Sequence, residues 1–481
     1  MSKLFDKIFI ANRGEIACRA IRTCRELSIR TVAAYSDCDR LSLHVRMADE
    51  AVHIGPSPGH QSYLNIERII EAAKRLGCDA VYPGYGFLAE NADFAEACET
   101  AGLAFIGPSA DVIRVMGDKE ATRRTLKEHG IPIVPGREDL TSADEIIEFG
   151  HEVGWPVLIK AAAGGGGKGM ELVHQASQAA EAFNKARSVA EKSFGDGRVY
   201  VEKFIANGRH IEIQFVADQH GNVVHMGERE CSIQRNHQKL VEESPSTVIT
   251  PEIREQMGGA VAKAVGEIGY VTAGTMEFLF DDTSMSYYAI EINTRIQVEH
   301  TVTEMITGQD LIRIMIETRA GKELPFTQES LSIFGHSIQC RINAEDPKKG
   351  FLPSAGHINF LRLPSGPFVR VDNGIYQGWT IPVYYDSMMA KLCVFGVDRE
   401  MALQRMRRAL GEFRILGVQT TIEMHKKIMN HPDFISGDYN TNFIGDNQEY
   451  ITDYEDKELG VLKIARLLAE STALGKNQHC F

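Results

Sequence analysis

Residues 154–174 read Gly154-Trp-Pro-Val-Leu-Ile-Lys160, Ala161-Ala-Ala163, Gly164-Gly-Gly-Gly-Lys168-Gly-Met170 and Glu171-Leu-Val-His174. Gly164, Gly166 and Gly169 satisfy G-x-G-x-x-G, the spacing of a dinucleotide-binding turn. That turn must open a helix, because the pyrophosphate sits on the helix N-terminus. Here a short β-like run, 171–173, follows instead, so the segment is a hairpin of strand, glycine loop and strand. A P-loop is excluded as well, since Lys168 is followed by Gly169 and no hydroxyl is left for a metal. What remains is a loop whose bare backbone N–H groups, including those of Gly166 and Gly167, can close over phosphate oxygens. Lys160 ends the strand that enters it, where an ammonium can reach the same oxygens.

Upstream, residues 1–115 alternate apolar runs with amphipathic helices: Lys7-Ile-Phe-Ile-Ala11, a helix over 15–27, then Thr31-Val-Ala-Ala-Tyr35. The segment 65–77 puts Ile66, Ile69, Ile70, Ala73 and Leu76 on one face, with Asn65 as cap and Gly77 as stop. An open parallel α/β domain follows from this order. A helical connector over 111–129 leads to a small unit, 116–204, in which Ser142-Ala-Asp-Glu145 is a capping box, a helix spans 177–192 and Glu202-Lys-Phe-Ile205 closes the last strand. Strands dominate 205–334 and 335–447, with helices near 251–268, 309–320 and 399–415. A tail, 448–481, has helical spacing. The fold class is therefore α/β joined to mixed α+β.

The chain has 481 residues, too many for a single core. Its net charge of −13 argues against a nucleic-acid partner. Nine scattered cysteines suit free thiols in a reducing compartment. No apolar run is long enough for a membrane span and no signal-peptide pattern begins the sequence, so a cytoplasmic location is expected.

The hairpin Met276-Glu-Phe-Leu-Phe280 and Tyr287-Tyr-Ala-Ile-Glu-Ile-Asn293 carries the chemistry. Alternation places Glu291 and Asn293 on one face. Glu277 joins them across the ladder if opposing numbers sum to an even value, for instance with a bulge. Two facing carboxylates repel unless something binds them, and with an amide oxygen they suit Mg²⁺. Beyond Asn293, residues Arg295, Gln297 and Glu299 line one wall if the chain stays extended, a place for a small anion beside a phosphate. Together these features point to an ATP- and Mg²⁺-using ligase that activates a small acid. Another ligase forming an acyl phosphate and a non-catalytic nucleotide-binding regulator are the competing readings.

From Lys7 to Ile444 the chain resembles biotin carboxylase, an ATP-grasp enzyme that performs the first half-reaction of acetyl-CoA, propionyl-CoA and pyruvate carboxylases. The resemblance rests on Ile10-Ala-Asn-Arg-Gly-Glu-Ile16, Pro83-Gly-Tyr-Gly-Phe-Leu88, Met116-Gly-Asp-Lys119, the glycine lid, Arg209-His-Ile-Glu-Ile-Gln214, Gln234-Arg-Asn-His-Gln-Lys239, the segment 291–300, Cys340-Arg-Ile-Asn-Ala-Glu-Asp346 and Tyr385-Asp-Ser-Met388. It implies an N-terminal pre-ATP-grasp domain, an ATP-grasp domain with lid and a C-terminal biotin carboxylase domain. It further implies that Lys119, Lys160, Gly166, Gly167, Glu202, Lys203, Phe204, Ile205, His210, Gln234 and His237 surround ATP. Glu277, Glu291 and Asn293 would hold Mg²⁺ or Mn²⁺. Bicarbonate would meet Lys239, Arg295, Gln297 and the Val298 backbone, with Glu299 as general base, and Arg341 and Tyr85 would face biotin. Departures are Asn236 where the family usually has Arg, Ala161-Ala-Ala163 where it has Ala-Ser-Gly, and Gly208 for a frequent Pro. No Ala-Met-Lys-Met biotinylation site occurs, so the biotin is expected on a separate carrier protein, with the carboxyltransferase on a further separate polypeptide and a homodimeric assembly.

Overall fold

A computed structural model describes residues 4–138, 140–161, 170–194, 196–205 and 207–455, without the side chains of residues 119, 120, 193 and 194. The glycine loop at 162–169 and most of the tail lie outside the described residues, so the readings made for Gly166, Gly167 and the tail helix are not addressed by it. For Lys119 only the backbone is described.

The N-terminal unit is a five-stranded parallel sheet in the order Glu50–Gly55, Arg30–Ser36, Lys7–Ile10, Ala80–Tyr82, Ala104–Phe105. The helix Ile66–Arg75 forms where its spacing predicts: Asn65 accepts the Arg68 N–H, Ile69 and Ala73 are fully buried, and Gly77 follows at φ 65°. The connector is two helices, Ala110–Gly117 and Lys119–Glu128, not one over 111–129. Asp118 breaks it, turning extended and accepting the Ala121 N–H at 2.8 Å, as an N-cap does.

The lid unit is an antiparallel sheet ordered Gly136–Arg137, Val199–Lys203, Val157–Ala161, Glu171–Val173, under the helices Ala143–Val153 and Ala179–Phe194. Val157, Leu158 and Ile159 pair with Val173, Leu172 and Glu171, so the strands flanking the glycine loop form a hairpin. Ser142 and Glu145 make the capping box.

One antiparallel sheet of eight strands carries the rest, in the order Ser286–Asn293, Thr272–Asp281, Gly208–Ala217, Val223–Arg235, Gln238–Ser244, His336–Asn343, Met388–Gly396, Val369–Asn373. The helix Pro251–Ile268 packs on it, with Thr250 as cap and Gly269 left-handed at its end. The helix expected over 399–415 stops at Glu412, and Arg414–Leu416 is a short strand. The turn between Arg235 and Gln238 has Asn236 and His237 at φ 49° and 65°. Asparagine tolerates such angles better than most residues, so Asn236 suits its turn. Among the described residues no helix is long and apolar enough to cross a membrane.

Thr272 opens its strand at φ 82°, fully buried, with a hydroxyl that has no hydrogen-bond partner. A β-branched residue there is strained. Thr272→Gly is expected to stabilise the protein by about 1 kcal/mol. A lower denaturation midpoint for the variant would show that the threonine methyl packing outweighs the strain.

Candidate active site

The strand Gly208–Ala217 alternates: Ile211, Ile213 and Phe215 enter the core, and His210, Glu212 and Gln214 take the other face. Its neighbours continue the row. Glu291 stands opposite Glu277, Glu277 opposite Glu212, and Glu212 opposite Arg229, so one rung crosses four strands with three carboxylates and a guanidinium. The even pairing of Glu277 with Glu291 depends on a bulge. From the turn the ladder pairs Phe278 with Ala289, and Ile290, exposed to solvent, is the extra residue that shifts it.

Like charges on one rung require cations between them. Lys239 supplies the central one. Its ammonium donates to Glu277 Oε1 at 2.9 Å, to Glu299 Oε1 at 2.8 Å and to Glu212. Arg229, fully buried, donates to Glu212 at 3.0 Å, Gln214 at 2.6 Å, Thr275 at 3.0 Å, Thr303 at 3.1 Å and Gln297 at 2.5 Å. Arg341 reaches Glu299 Oε2 at 2.9 Å and Glu242 at 2.5 Å. His210 Nε2 lies 2.8 Å from Glu277 Oε2.

Burial works most strongly against the charges of Glu277 and Glu299, but the cations together outweigh it, Lys239 with His210 at Glu277 and Lys239 with Arg341 and Arg229 at Glu299. Both carboxyls are held well below their usual range. Burial lowers the Lys239 ammonium less than Glu299 and Glu277 raise it. Glu291, open to the cleft, moves the other way, pushed up by partial burial and by the Glu277 charge.

The wall expected from an extended 295–299 does not form as such. The strand ends at Asn293, the chain bends through Thr294 and Arg295, and Ile296 is buried in the N-terminal core. A turn at Val298 and Glu299 then leads into the helix His300–Thr307. Burial of Ile296 and the start of that helix bend the segment. Gln297 and Glu299 still reach Lys239's surroundings, Gln297 donating to Glu277 at 2.5 Å. Arg295 instead binds Glu90 at 3.0 Å and the Asn293 oxygen at 2.8 Å.

Elsewhere, Lys160 and Glu202 meet as an ion pair, and Arg123 donates to Glu202 at 2.8 Å. Lys203 ends its strand, and Phe204 and Ile205 follow half-buried. Gln234 is buried opposite Lys239, whereas His237 is exposed at the turn. Tyr85, Arg341 and the Val298 region line a cavity of about 620 Å³ with Glu15, Tyr385 and Asp386. Residues missed from the sequence are Glu212, Arg229, Glu242 and Glu90. The alternation His210, Glu212, Gln214 within an apolar strand is the signal that marks Glu212.

Family models match over residues 4–113 (biotin carboxylase, N-terminal domain), 118–327 (carbamoyl-phosphate synthase L chain, ATP binding domain) and 339–446 (biotin carboxylase C-terminal domain). The chain is 52% identical to biotin carboxylase 1 of Bacillus subtilis, over 92% of this chain and 98% of that one. It is 47% identical to a pyruvate carboxylase subunit of Methanothermobacter thermautotrophicus, over 99% of each. The crystal structure of the biotin carboxylase domain dimer of 2-oxoglutarate carboxylase from Hydrogenobacter thermophilus, in complex with MgADP, ADP and bicarbonate, superposes with a TM-score of 0.86. The two are 47% identical, over 94% of this chain and all of that one. Fold, site and likeness define an ATP-dependent ligase. The chain belongs to the biotin carboxylase family.

Because Glu277 and Glu299 have depressed values, the stability they contribute is present above the unfolded carboxylate range, about pH 4.3, and is lost as pH falls through their lower folded values. Lys239→Met strands three carboxylates. It is expected to cost roughly 3–5 kcal/mol at pH 8 without nucleotide, and less at pH 4.5 as the carboxylates protonate. Thermal melts at both values check this, and an equal deficit at each would contradict it.

Proposed function

We propose that the protein carboxylates biotin carried on a separate carrier polypeptide, using ATP and bicarbonate. The observation that carries this reading is the Glu299 carboxylate gripped by Lys239 and Arg341, with Arg341 also lining the cavity beside Val298. A small anion entering here meets cations already aimed at it, and a larger ring can stand in the cavity against Tyr85. Lys239, Arg295, Gln297 and the Val298 backbone would bind bicarbonate, and Glu299 would accept its proton. Glu299 is ionised, as an acceptor must be. Its proton affinity rises once Lys239 and Arg341 turn toward the substrate anion and hold it less tightly.

A bicarbonate oxygen then attacks the γ-phosphorus of ATP, ADP departs, and the carboxyphosphate formed breaks down to CO₂ and phosphate. The phosphate takes the biotin N–H proton, the nitrogen bonds to CO₂, and Arg341 would stabilise the enolate oxygen. Positioning and charge carry such a transfer. Lys119, Lys160, Gly166, Gly167, Glu202, Lys203, Phe204, Ile205, His210, Gln234 and His237 would surround ATP.

Glu277, Glu291 and Asn293 fit a hard divalent cation. They share one sheet face, and Glu291, pushed up by burial first and by the Glu277 charge second, stands beside a like charge whose repulsion a cation would relieve. Asn293 at present turns its amide nitrogen to Glu277 at 2.8 Å, so ligation requires its oxygen to swing over. Mg²⁺ or Mn²⁺ bound there would neutralise charge on the transferring phosphate.

The corresponding segments would be 1–115 (N-terminal domain), 116–204 (connector and lid), 205–334 (metal and bicarbonate site), 335–447 (C-terminal domain) and 448–481 (tail). A carrier protein and a carboxyltransferase subunit would complete the reaction, with a cytoplasmic homodimer as the acting form. The match over almost the whole of a protein named as a pyruvate carboxylase subunit supports this division of labour. The final acceptor, whether acetyl-CoA, propionyl-CoA, pyruvate or another acid, would be chosen by the partner.

ADP release with free biotin should require bicarbonate and rise with biotin, and Arg341→Ala should lose on the order of 10²-fold. Turnover that needs an amine and ignores biotin would favour a different acyl-phosphate ligase. Glu291→Gln should abolish metal-dependent turnover while melting within about 2 °C of wild type, since the side chain faces the cleft rather than the core. A collapsed melting transition would refute that placement.

A further inference from the structure

Lys391 has no side-chain exposure, yet none of the roles above uses it. It lies in the strand Met388–Gly396 between fully buried Ala390 and Leu392, opposite Arg341 on one side and Asp372 on the other. Its ammonium donates to the Val298 carbonyl at 2.9 Å and stands 3.1 Å from Glu15 Oε1. Asp372 is engaged by Arg370 at 2.7 Å. Glu15, in the first turn of the helix Gly14–Glu26, also accepts the Tyr85 hydroxyl, and its second oxygen is buried without a partner. A continuous line of polar contacts therefore runs from the cavity wall to the backbone of the bicarbonate turn: Tyr85, Glu15, Lys391, Val298.

Burying an ammonium is costly, and an apolar residue would serve a purely structural position as well or better. What an apolar residue cannot do is hold a backbone carbonyl. The Val298 carbonyl belongs to the peptide that begins Glu299, so whatever fixes it also fixes where the Glu299 side chain departs.

We propose that Lys391, with Glu15 as its counter-charge, is a positioning residue for the bicarbonate end of the site, holding the Val298–Glu299 peptide so that the turn and the Glu299 carboxylate meet the anion together. This rests on the reaction assigned above.

The test is steady-state kinetics of Lys391→Met. The KM for bicarbonate should rise about tenfold or more and kcat should fall by a similar factor, while the KM for MgATP stays within about twofold. The same loss should appear in bicarbonate-dependent ATP cleavage without biotin. Where the single variant melts too low to assay, Lys391→Met combined with Glu15→Gln removes both charges and carries the same expectation. Wild-type constants in a folded variant, a lowered melting temperature with unchanged kinetics, or a loss seen only with biotin would each overturn the inference. A wild-type enzyme lacking bicarbonate-dependent, biotin-stimulated turnover would instead refute the assigned reaction, and this role with it.

Discussion

A single ammonium, that of Lys239, lies among three buried carboxylates from three separate stretches of chain. Glu212 and Glu277 come from adjacent strands and Glu299 from the turn before a helix. Removed from water and left to themselves, these groups would force one another apart or take up protons. Such a network is weak evidence for stability, because apolar replacements can do as well, but breaking it at one member is severe. Its value, on the reaction proposed, lies in preorganisation: charges that would act on a transferring phosphoryl group are already oriented.

The large sheet explains how that orientation is kept. Eight strands form one antiparallel ladder from Ser286–Asn293 to Val369–Asn373, so Glu277 and Arg341 belong to the same hydrogen-bonded body despite their separation in sequence. The strands flanking the glycine loop belong to a different sheet. Of the groups expected around the nucleotide, Lys160, Glu202 and Lys203 thus stand on the smaller sheet, while His210 and Gln234 stand on the large one with Lys239 and Arg341.

Much of this was legible in the residues because strand alternation is a steric fact. The shared face of Glu291 and Asn293, the hairpin around the glycine loop, and the helix between Asn65 and Gly77 each follow from local spacing. Arg229 was not legible as a buried group: the charged run 228–239 shows polar and cationic residues such as gather around a transferring phosphate, and only partners from distant stretches of chain make its burial tolerable. Glu90 was not legible either, its bond to Arg295 spanning 205 positions. The extended wall failed for a tertiary reason, because Ile296 had a core to fill. Asp118 was a local signal overlooked, since a cap residue within a helical stretch marks a break as readily as a start.

The bulge at Ile290 makes the facing of Glu277 and Glu291 indifferent to one length change and intolerant of another. The turn closes Asp281 on Ser286, and an unbroken ladder from there would set Ile290 against Glu277 and aim Glu291 into the core with Ala289. The extra residue restores the frame, much as a compensating insertion restores a reading frame. Loss of Ile290 alone leaves Glu291 facing Glu277. Loss of any other single residue between the turn and Glu291 absorbs the bulge in the same way, whereas one residue gained there, with the bulge kept, would invert the pair, so this hairpin tolerates shortening by one residue but not lengthening by one.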